Sequence, residues 1–279
     1  MPSTCEWTGA TDGDFATAGN WNPAVVPVAG DHLLFDTGNR DLDTGLNPAF
    51  AIGNITITKG YGGSIGPTSA FAPTGNISTI KGYLNRQCRI GSGGNVGTNI
   101  GDVNIQVGPG AKFIMATGTW ALPTVTGGEC KVEAAAVVTN MNLIRTFATI
   151  LVNATAITLL NVDSATVVCF RVCTTISGNG TGRYEGQVSS GTASTTVNCN
   201  KGFVFNPRTG VTYTTVNLRD GSSLSLAGAK ASATVTTLNR YAGAPYDASM
   251  GGVTLSIGTN NPIGFGSGTS DSVVAGPGV

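Results

Sequence analysis

The segment Asn54-Ile-Thr-Ile-Thr-Lys-Gly-Tyr61 recurs in altered form as Asn76-Ile-Ser-Thr-Ile-Lys-Gly-Tyr83. Both copies begin with Asn-Ile, end with Lys-Gly-Tyr and are followed by an Ile-Gly pair. The interval of about 22 residues falls within the range of 20–50 that is typical of solenoids, in which each repeat stacks on the next. Such an interval suits one coil of a parallel β-helix, so the recurrence predicts a β-solenoid.

Short strand-like segments continue this pattern through the rest of the chain, and helix-like periodicity is scarce. Most of them alternate apolar residues with Thr, Ser or Asn, which indicates one buried and one exposed face. We predict an all-β fold, a right-handed parallel β-helix with an N-terminal cap. An antiparallel β-sandwich or jelly roll is the alternative. The turn signals do not favour the tight hairpins of such a fold, since Asp220-Gly221 is a weak example. The segments are 54–58, 103–107, 112–115, 223–226, 233–238 and 253–257.

The length of 279 residues suits one large β domain or two smaller domains, and all-β folds of this length often form one unit. We predict a cap and first strands over residues 1–50, a β-helix body over 51–260, and a Gly-rich C-terminal tail over 261–279.

The composition narrows the range of partners. Charged residues make up 11% of the chain and the formal net charge is zero, whereas soluble domains average about 25% charged residues. The sequence has no Lys/Arg run, and a nucleic-acid-binding surface needs clustered positive charge. No apolar run reaches the ~20 residues of a membrane-spanning helix. The N-terminus lacks the basic region and apolar core of a signal peptide. We therefore expect a protein that was trimmed or is not secreted, and that works inside an assembly.

The opening of the chain, residues 7–35, concentrates tryptophan, glycine and proline ahead of an apolar run. This pattern resembles the entry to autotransporter passenger domains and the same module in bacteriophage structural proteins. The resemblance implies an N-terminal cap that leads into the first strands of a β-helix. Two Trp side chains could cover the open first coil, whose backbone groups would otherwise be unpaired. Ordinary core packing and sugar stacking are the alternatives for these tryptophans. The residues that carry the resemblance are Trp7, Gly9, Asn20, Trp21, Pro27, Gly30, Asp31 and Phe35.

Candidates for catalysis are few. The only histidine, His32, follows Asp31 inside the cap segment, and we expect it to be structural. Asp163 and Glu185 are separated by the same interval as the recurring segment. Stacked coils could therefore place them together as the general acid and base of a polysaccharide-cleaving enzyme. Exposed turn residues are the simpler interpretation. We expect no enzyme activity, no catalytic residue and no cofactor.

Metal sites are not expected either. The Asp-rich segment 36–43 could offer oxygen ligands to calcium, but an Asx-rich turn explains it as well. The six cysteines show no Cys-x-x-Cys spacing, which argues against zinc. Cys169 and Cys173 on one strand would lie about 13 Å apart, too far to bond each other. We expect the cysteines to be small buried hydrophobic side chains. A disulfide from Cys169 or Cys173 to a cysteine on a neighbouring coil or subunit, such as Cys199, is the alternative.

These observations together favour a non-enzymatic structural protein of a bacteriophage virion. A capsid decoration (cement) protein fits best: it would bind the major capsid protein and itself, as a homotrimer on the particle surface, after synthesis in the host cytoplasm. A host surface glycan is a further candidate partner. The alternatives are a bacterial surface adhesin or passenger fragment, and a phage tail fibre or spike with glycan binding or depolymerase activity.

Overall fold

The computed structural model describes residues 1–92, 99–153, 155–188, 192–207, 211–227, 232–241, 244–246, 249–250 and 253–263. These residues form 24 strands and one three-residue 3-10 helix. The chain divides into two compact units, Met1–Met141 and Asn142–Val279, which we call unit 1 and unit 2.

Unit 1 is built from two sheets of stacked strands. The larger sheet has the order β2-β1-β3-β4-β5-β7-β9, with β11 also on β9, and the smaller has the order β6-β8-β10. Its pairs are parallel except β1 with β2. The strands are β1 (Thr4–Trp7), β2 (Trp21–Asn22, after the 3-10 helix Ala18–Asn20), β3 (His32–Phe35), β4 (Ile52–Ile57), β5 (Ile77–Leu84), β6 (Cys88–Ile90), β7 (Asn99–Val107), β8 (Lys112–Met115), β9 (Gly118–Thr126), β10 (Glu129–Val132) and β11 (Ala136–Val138).

Unit 2 repeats the same construction. One sheet runs β14-β16-β18-β20-β22-β24 and the other β13-β15-β17-β19-β21, all parallel, while β23 turns back antiparallel on β24. The strands are β12 (Asn140–Ile144, which starts at the boundary), β13 (Phe147–Ile150), β14 (Ile157–Asp163), β15 (Thr166–Cys169), β16 (Cys173–Asn179), β17 (Arg183–Gly186), β18 (Thr192–Cys199), β19 (Val204–Pro207), β20 (Thr212–Leu218), β21 (Ser223–Leu224), β22 (Ala233–Tyr241), β23 (Ser249–Met250) and β24 (Val253–Ile263).

Each unit is therefore a parallel β-solenoid, in which successive coils pair strand on strand. This confirms the all-β solenoid prediction and is consistent with a right-handed β-helix. The sandwich and jelly-roll alternative is wrong, because those folds pair their strands mainly antiparallel. Of the predicted tail, residues 261–263 belong to β24, and residues 264–279 lie outside the described residues.

The core consists of columns of inward side chains. In unit 1, Leu33, Ile55 and Ile80 stand in register and are fully buried. In unit 2, Ile176 and Val197 continue such a column. Alternate residues of a strand point to the same face, so the alternation read from the sequence becomes this column. Burying each such side chain stabilises the fold by about 1.5–3 kcal/mol.

The coil length varies, and the sequence recurrence does not give the register. The recurrence would pair Asn54 with Asn76, but Asn54 pairs with Thr79, so this coil is longer than the recurring interval. The coil that pairs Ile157 with Cys173 is much shorter. The two Lys-Gly-Tyr copies consequently have different structures, because the first begins in a turn at residues 59–60 and residues 81–83 lie inside β5.

Candidate functional site

The two tryptophans of the opening segment pack together at the edge of the unit 1 sheet. Trp7 and Trp21 are register partners between β1 and β2, and their ring centroids lie 5.0 Å apart in an edge-to-face arrangement. Each indole N–H donates to a carbonyl, Trp7 to Arg40 (3.1 Å) and Trp21 to Phe15 (2.8 Å). Both side chains are only 1–2% exposed. Sugar stacking on these rings is therefore wrong, because no ring face is open to a ligand.

Asn20 organises the loop that joins β1 to β2. Its buried side-chain oxygen accepts the backbone N–H groups of Thr11 (2.9 Å) and Asp12 (3.0 Å). Its amide nitrogen donates to the carboxylate of Asp12 and to the carbonyl of Asp14. The backbone N–H of Asp14 (2.9 Å) and the amide of Asn20 both donate to the Asp12 carboxylate, and these two bonds favour its ionised form and lower the pKa of Asp12. The loop's shape thus depends on one buried amide.

Asp31 ties the N-terminal segment to the start of β3. Its carboxylate accepts the N–H of Ser3 (2.7 Å), the N–H of Val28 (2.9 Å) and the thiol of Cys5 (3.7 Å). Burial opposes ionisation, but the hydrogen bonds outweigh it, so the pKa of Asp31 lies below its usual range. The residue is a structural anchor.

The other residues of the opening pattern also have structural positions. Phe35 is buried and its ring contacts both tryptophans, and Pro27 is buried too. Gly9 and Gly30 both have positive φ, at 58° and 86°. At Gly9 a Cβ would lie 2.6 Å from Cβ of Arg40, so no other residue fits there without displacing the chain.

The structure does not bring the predicted catalytic candidates together. Asp163 ends β14 and pairs in register with Asn179, whereas Glu185 lies on β17 in the other sheet of unit 2. Glu185 forms an ion pair with Arg183 (2.9 Å). The alternative in which Asp163 stacks on Glu185 is wrong because the coils here are shorter than the interval between the two residues. His32 lies half-buried in β3, where its Nδ1 accepts the N–H of Asn54 (3.1 Å).

The Asp-rich segment 36–43 uses its carboxylates within the chain. Asp36 accepts the hydroxyl of Thr58 (2.6 Å), and Asp41 accepts the N–H of Ser64 (2.6 Å). Within the described ranges, no three His, Cys, Asp or Glu side chains come together as a metal site.

All six cysteines are buried free thiols, as expected for small hydrophobic residues. Burial raises the pKa of the Cys88, Cys130 and Cys199 thiols. The expected separation of Cys169 and Cys173 is wrong: their sulfurs lie 3.8 Å apart. The chain leaves β15 at Cys169, turns a corner through residues 170–172 and enters β16 at Cys173, so the two residues lie on different strands.

The outward face of unit 1 contains an open groove of about 600 Å³ over β4, β5 and β7, which we call the β4–β5–β7 groove. Register places Thr56, Lys81 and Asn104 in one outward row across it. Tyr83 and Gln106 form a second row, and Thr79 with Asp102 a third. The full lining is Thr56, Ile57, Thr58, Lys59, Thr79, Ile80, Lys81, Gly82, Tyr83, Asp102, Asn104 and Gln106.

Several polar side chains of this groove have no partner among the residues that the structure describes. Within the described residues, the side chains of Lys81, Asp102, Asn104 and Gln106 make no hydrogen bond or ion pair. The ammonium of Lys59 lies 5.0 Å from the ring centroid of Tyr83. These groups are exposed to water and free to exchange it for a ligand.

Gly82 allows β5 to approach β4 closely beside the groove. It has φ of 136°, and a Cβ there would overlap the carbonyl oxygen of Ile57 on β4. Only glycine allows this close approach of β5 to β4. The backbone at this point therefore fixes where Lys81 and Tyr83 enter the groove.

The outward face of unit 2 is different, because its side chains bond to each other. Asn217 donates to Asn198 (2.8 Å), Asn239 donates to Asn217 (2.7 Å) and Asn261 donates to Asn239 (3.0 Å). Asn161 likewise donates to Asn142 (2.8 Å). We call these side chains the Asn ladder.

A row of threonines runs beside the Asn ladder. It is in register from β16 to β24 and comprises Thr175, Thr196, Thr215, Thr237 and Thr259. The sequence itself contains a repeat that marks this row, a four-residue motif that begins with Thr-Thr. The copies are Thr-Thr-Ile-Ser at 174–177, Thr-Thr-Val-Asn at 195–198 and at 214–217, and Thr-Thr-Leu-Asn at 236–239. Equivalent positions of these copies pair from coil to coil, so their spacing gives the register directly.

Comparison with known proteins identifies no relative: no family model matches the chain, and no curated protein or solved structure does. In the part of the chain that the structure describes, no helix is long and apolar enough to span a membrane.

Proposed function

We propose that the protein is a non-enzymatic structural protein of a bacteriophage virion, a capsid decoration protein that binds the major capsid protein as a homotrimer on the particle surface. The resemblance of residues 7–35 to the entry of phage and passenger β-helices supports this, as does the low charge content of 11%. The proposed cap is the packed group around Trp7 and Trp21.

The observation that carries the proposal is the outward face of unit 2. Burying polar groups in an interface is costly when they lose hydrogen bonds to water. The amides of Asn198, Asn217 and Asn239 already bond to one another, so a neighbouring protein can cover them at a lower cost. Rows at a strand spacing of about 4.8 Å also give a regular, uncharged surface. Such a face suits contact with a capsid shell or a second copy.

Co-sedimentation with expanded shells tests the proposal. The purified protein should bind in stoichiometric copies and raise the shells' resistance to heat, and its mass in solution should be three times that of one chain. Thr215→Lys, which places a charge on the threonine row, should abolish binding. Thr126→Lys on the outward face of unit 1 is the matched control and should bind normally. Absence of the protein from purified virions by mass spectrometry would eliminate the proposal.

A further inference from the structure

We propose that the β4–β5–β7 groove of unit 1 binds an acidic saccharide. This inference does not depend on the decoration function, because it rests on the side chains of a different face.

Two cations in the groove lack acidic partners. Among the described residues, Lys59 and Lys81 form no ion pair. Lys59 lies over the ring of Tyr83, whose negative face attracts an ammonium. This contact restricts the Lys59 side chain before binding, so the side chain loses less conformational entropy when it binds an anion. A carboxylate is the simplest anion that two ammonium groups can share.

Asp102 makes the groove less favourable for a compact anion. Its carboxylate lines the same groove and would repel a compact, fully charged group such as phosphate. A carboxylate without a partner accepts hydrogen bonds from hydroxyls. The ligand must therefore present a negative group to the lysines and hydroxyls to Asp102.

The neighbouring amides complete this pattern. Asn104 and Gln106 each offer donors and an acceptor, and Thr56 adds a hydroxyl, all toward the same groove. A volume of about 600 Å³ lies in the size range of small-molecule sites. A uronic-acid residue of a polysaccharide combines a carboxylate with several hydroxyls on one ring and satisfies all of these groups.

Calorimetric titration of the full chain with trigalacturonic acid, compared with neutral maltotriose, tests the site. We expect one saturable site for the acidic sugar and binding at least about tenfold weaker for the neutral one. The double variant Lys59→Gln/Lys81→Gln should weaken acidic-sugar binding by about tenfold. Lys201→Gln, an exposed lysine of unit 2, should leave the affinity unchanged. Thermal unfolding of each variant checks that the fold is intact.

Any of the following outcomes would overturn the inference: no binding of the acidic sugar, equal binding of the neutral sugar, or equal binding by the double variant. Displacement of the sugar by inorganic phosphate at equal concentration would reduce the site to a plain anion site and overturn it too. Shell binding by the double variant should persist, so failure of this inference is separate from failure of the decoration function.

A second inference comes from the contact of Cys169 with Cys173. We infer that these two thiols form a disulfide when a small azo oxidant such as diamide reaches them. Their sulfurs, 3.8 Å apart, need to approach by about 1.8 Å to reach bonding distance. In the reaction with diamide, two S–H bonds break, one S–S bond forms, and the two hydrogens reduce the N=N bond to a hydrazine.

The surroundings favour reaction at this pair over the other buried thiols. The hydrogen bond with Cys173 lowers the pKa of Cys169, while that bond and burial raise the pKa of Cys173. The positive charge of the Arg171 guanidinium also favours the Cys169 thiolate. Thiolate is the reactive form of cysteine.

Peptide mapping after diamide treatment and alkylation tests this inference. We expect a single cross-linked peptide that joins Cys169 to Cys173, with Cys88, Cys130 and Cys199 alkylated as free thiols after unfolding. Cys173→Ser should leave Cys169 free. A map in which both thiols stay free, or in which either bonds another cysteine, would contradict it.

Discussion

Unit 1 and unit 2 bury similar columns of apolar side chains but present opposite kinds of outward face. Within the described residues, the side chains of Lys81, Asp102, Asn104 and Gln106 on the unit 1 face make no hydrogen bond or ion pair in the β4–β5–β7 groove. On the unit 2 face, the Asn ladder bonds to itself from coil to coil. In a solenoid the inward columns fix the fold, so the outward rows are free to specialise.

This difference has a simple physical meaning. A polar group that is hydrogen-bonded to its neighbour adds stability, and it can be covered by a partner protein at a small cost in lost hydrogen bonds to water. A polar group without such a bond is available to a ligand. We therefore assign protein contact to the unit 2 face and ligand binding to the unit 1 face. The substitutions below test whether the two units differ in this way.

The largest effect is expected at the aromatic edge of unit 1. Trp21→Ala removes a buried ring that contacts Trp7, Phe15 and Phe35 and should lower the free energy of unfolding by about 3–5 kcal/mol. Leu122→Ala, at a side chain that is 47% exposed, is the control and should change it by less than about 0.5 kcal/mol. Denaturant unfolding measures both changes. A loss under about 1 kcal/mol for Trp21→Ala would contradict a stabilising role of the aromatic edge.

A smaller, pH-dependent effect is expected at Asp31. Because its pKa is lowered in the folded protein, its contribution is present above the unfolded pKa of about 4. It is lost as the pH falls through the folded pKa. Asp31→Asn should cost about 1.5–3 kcal/mol at neutral pH, and its difference from wild type should shrink in acid.

Unfolding curves across the acid range measure the Asp31 effect. An Asp31→Asn difference that stays constant with pH would show that the carboxylate is not the anchor. The amides of the Asn ladder do not titrate, so an Asn217→Ala difference should be flat over the same range.

A still smaller effect is expected in the Asn ladder itself. Asn217→Ala removes the acceptor of Asn239 and the donor to Asn198 and should cost about 1 kcal/mol. Asn104→Ala, in the groove of unit 1, removes an amide without a partner and should cost under about 0.5 kcal/mol. Equal costs at the two sites, measured by thermal unfolding, would show that the two faces do not differ.

The sequence was sufficient to predict the solenoid, but the recurrence at Asn54 and Asn76 did not give the register of unit 1. Alternation of apolar and small polar residues predicted the strands because side chains on successive residues point to opposite faces. The step from coil to coil depends on turn lengths, which vary along the chain, so Asn54 pairs with Thr79 instead of Asn76. The same error placed Asp163 with Glu185.

The candidate sites were hidden for related reasons. The β4–β5–β7 groove brings together residues from three coils, so it exists only once the register is known. The contact of Cys169 with Cys173 depends on a corner at residues 170–172, inside a run that is apolar enough to pass for one strand. The Thr-Thr-Val-Asn motif was visible in the sequence and predicts the unit 2 face without a structure.

The most direct test of the central claim is a titration of isotope-labelled protein with trigalacturonic acid, followed through the side-chain amide signals of Asn and Gln by NMR. We expect the chemical shifts of Asn104 and Gln106 to change and to saturate together. Those of Asn198, Asn217 and Asn239 should not change. Movement of the Asn ladder signals, or no movement at Asn104 and Gln106, would contradict the division of the two faces into a ligand-binding and a protein-contact surface.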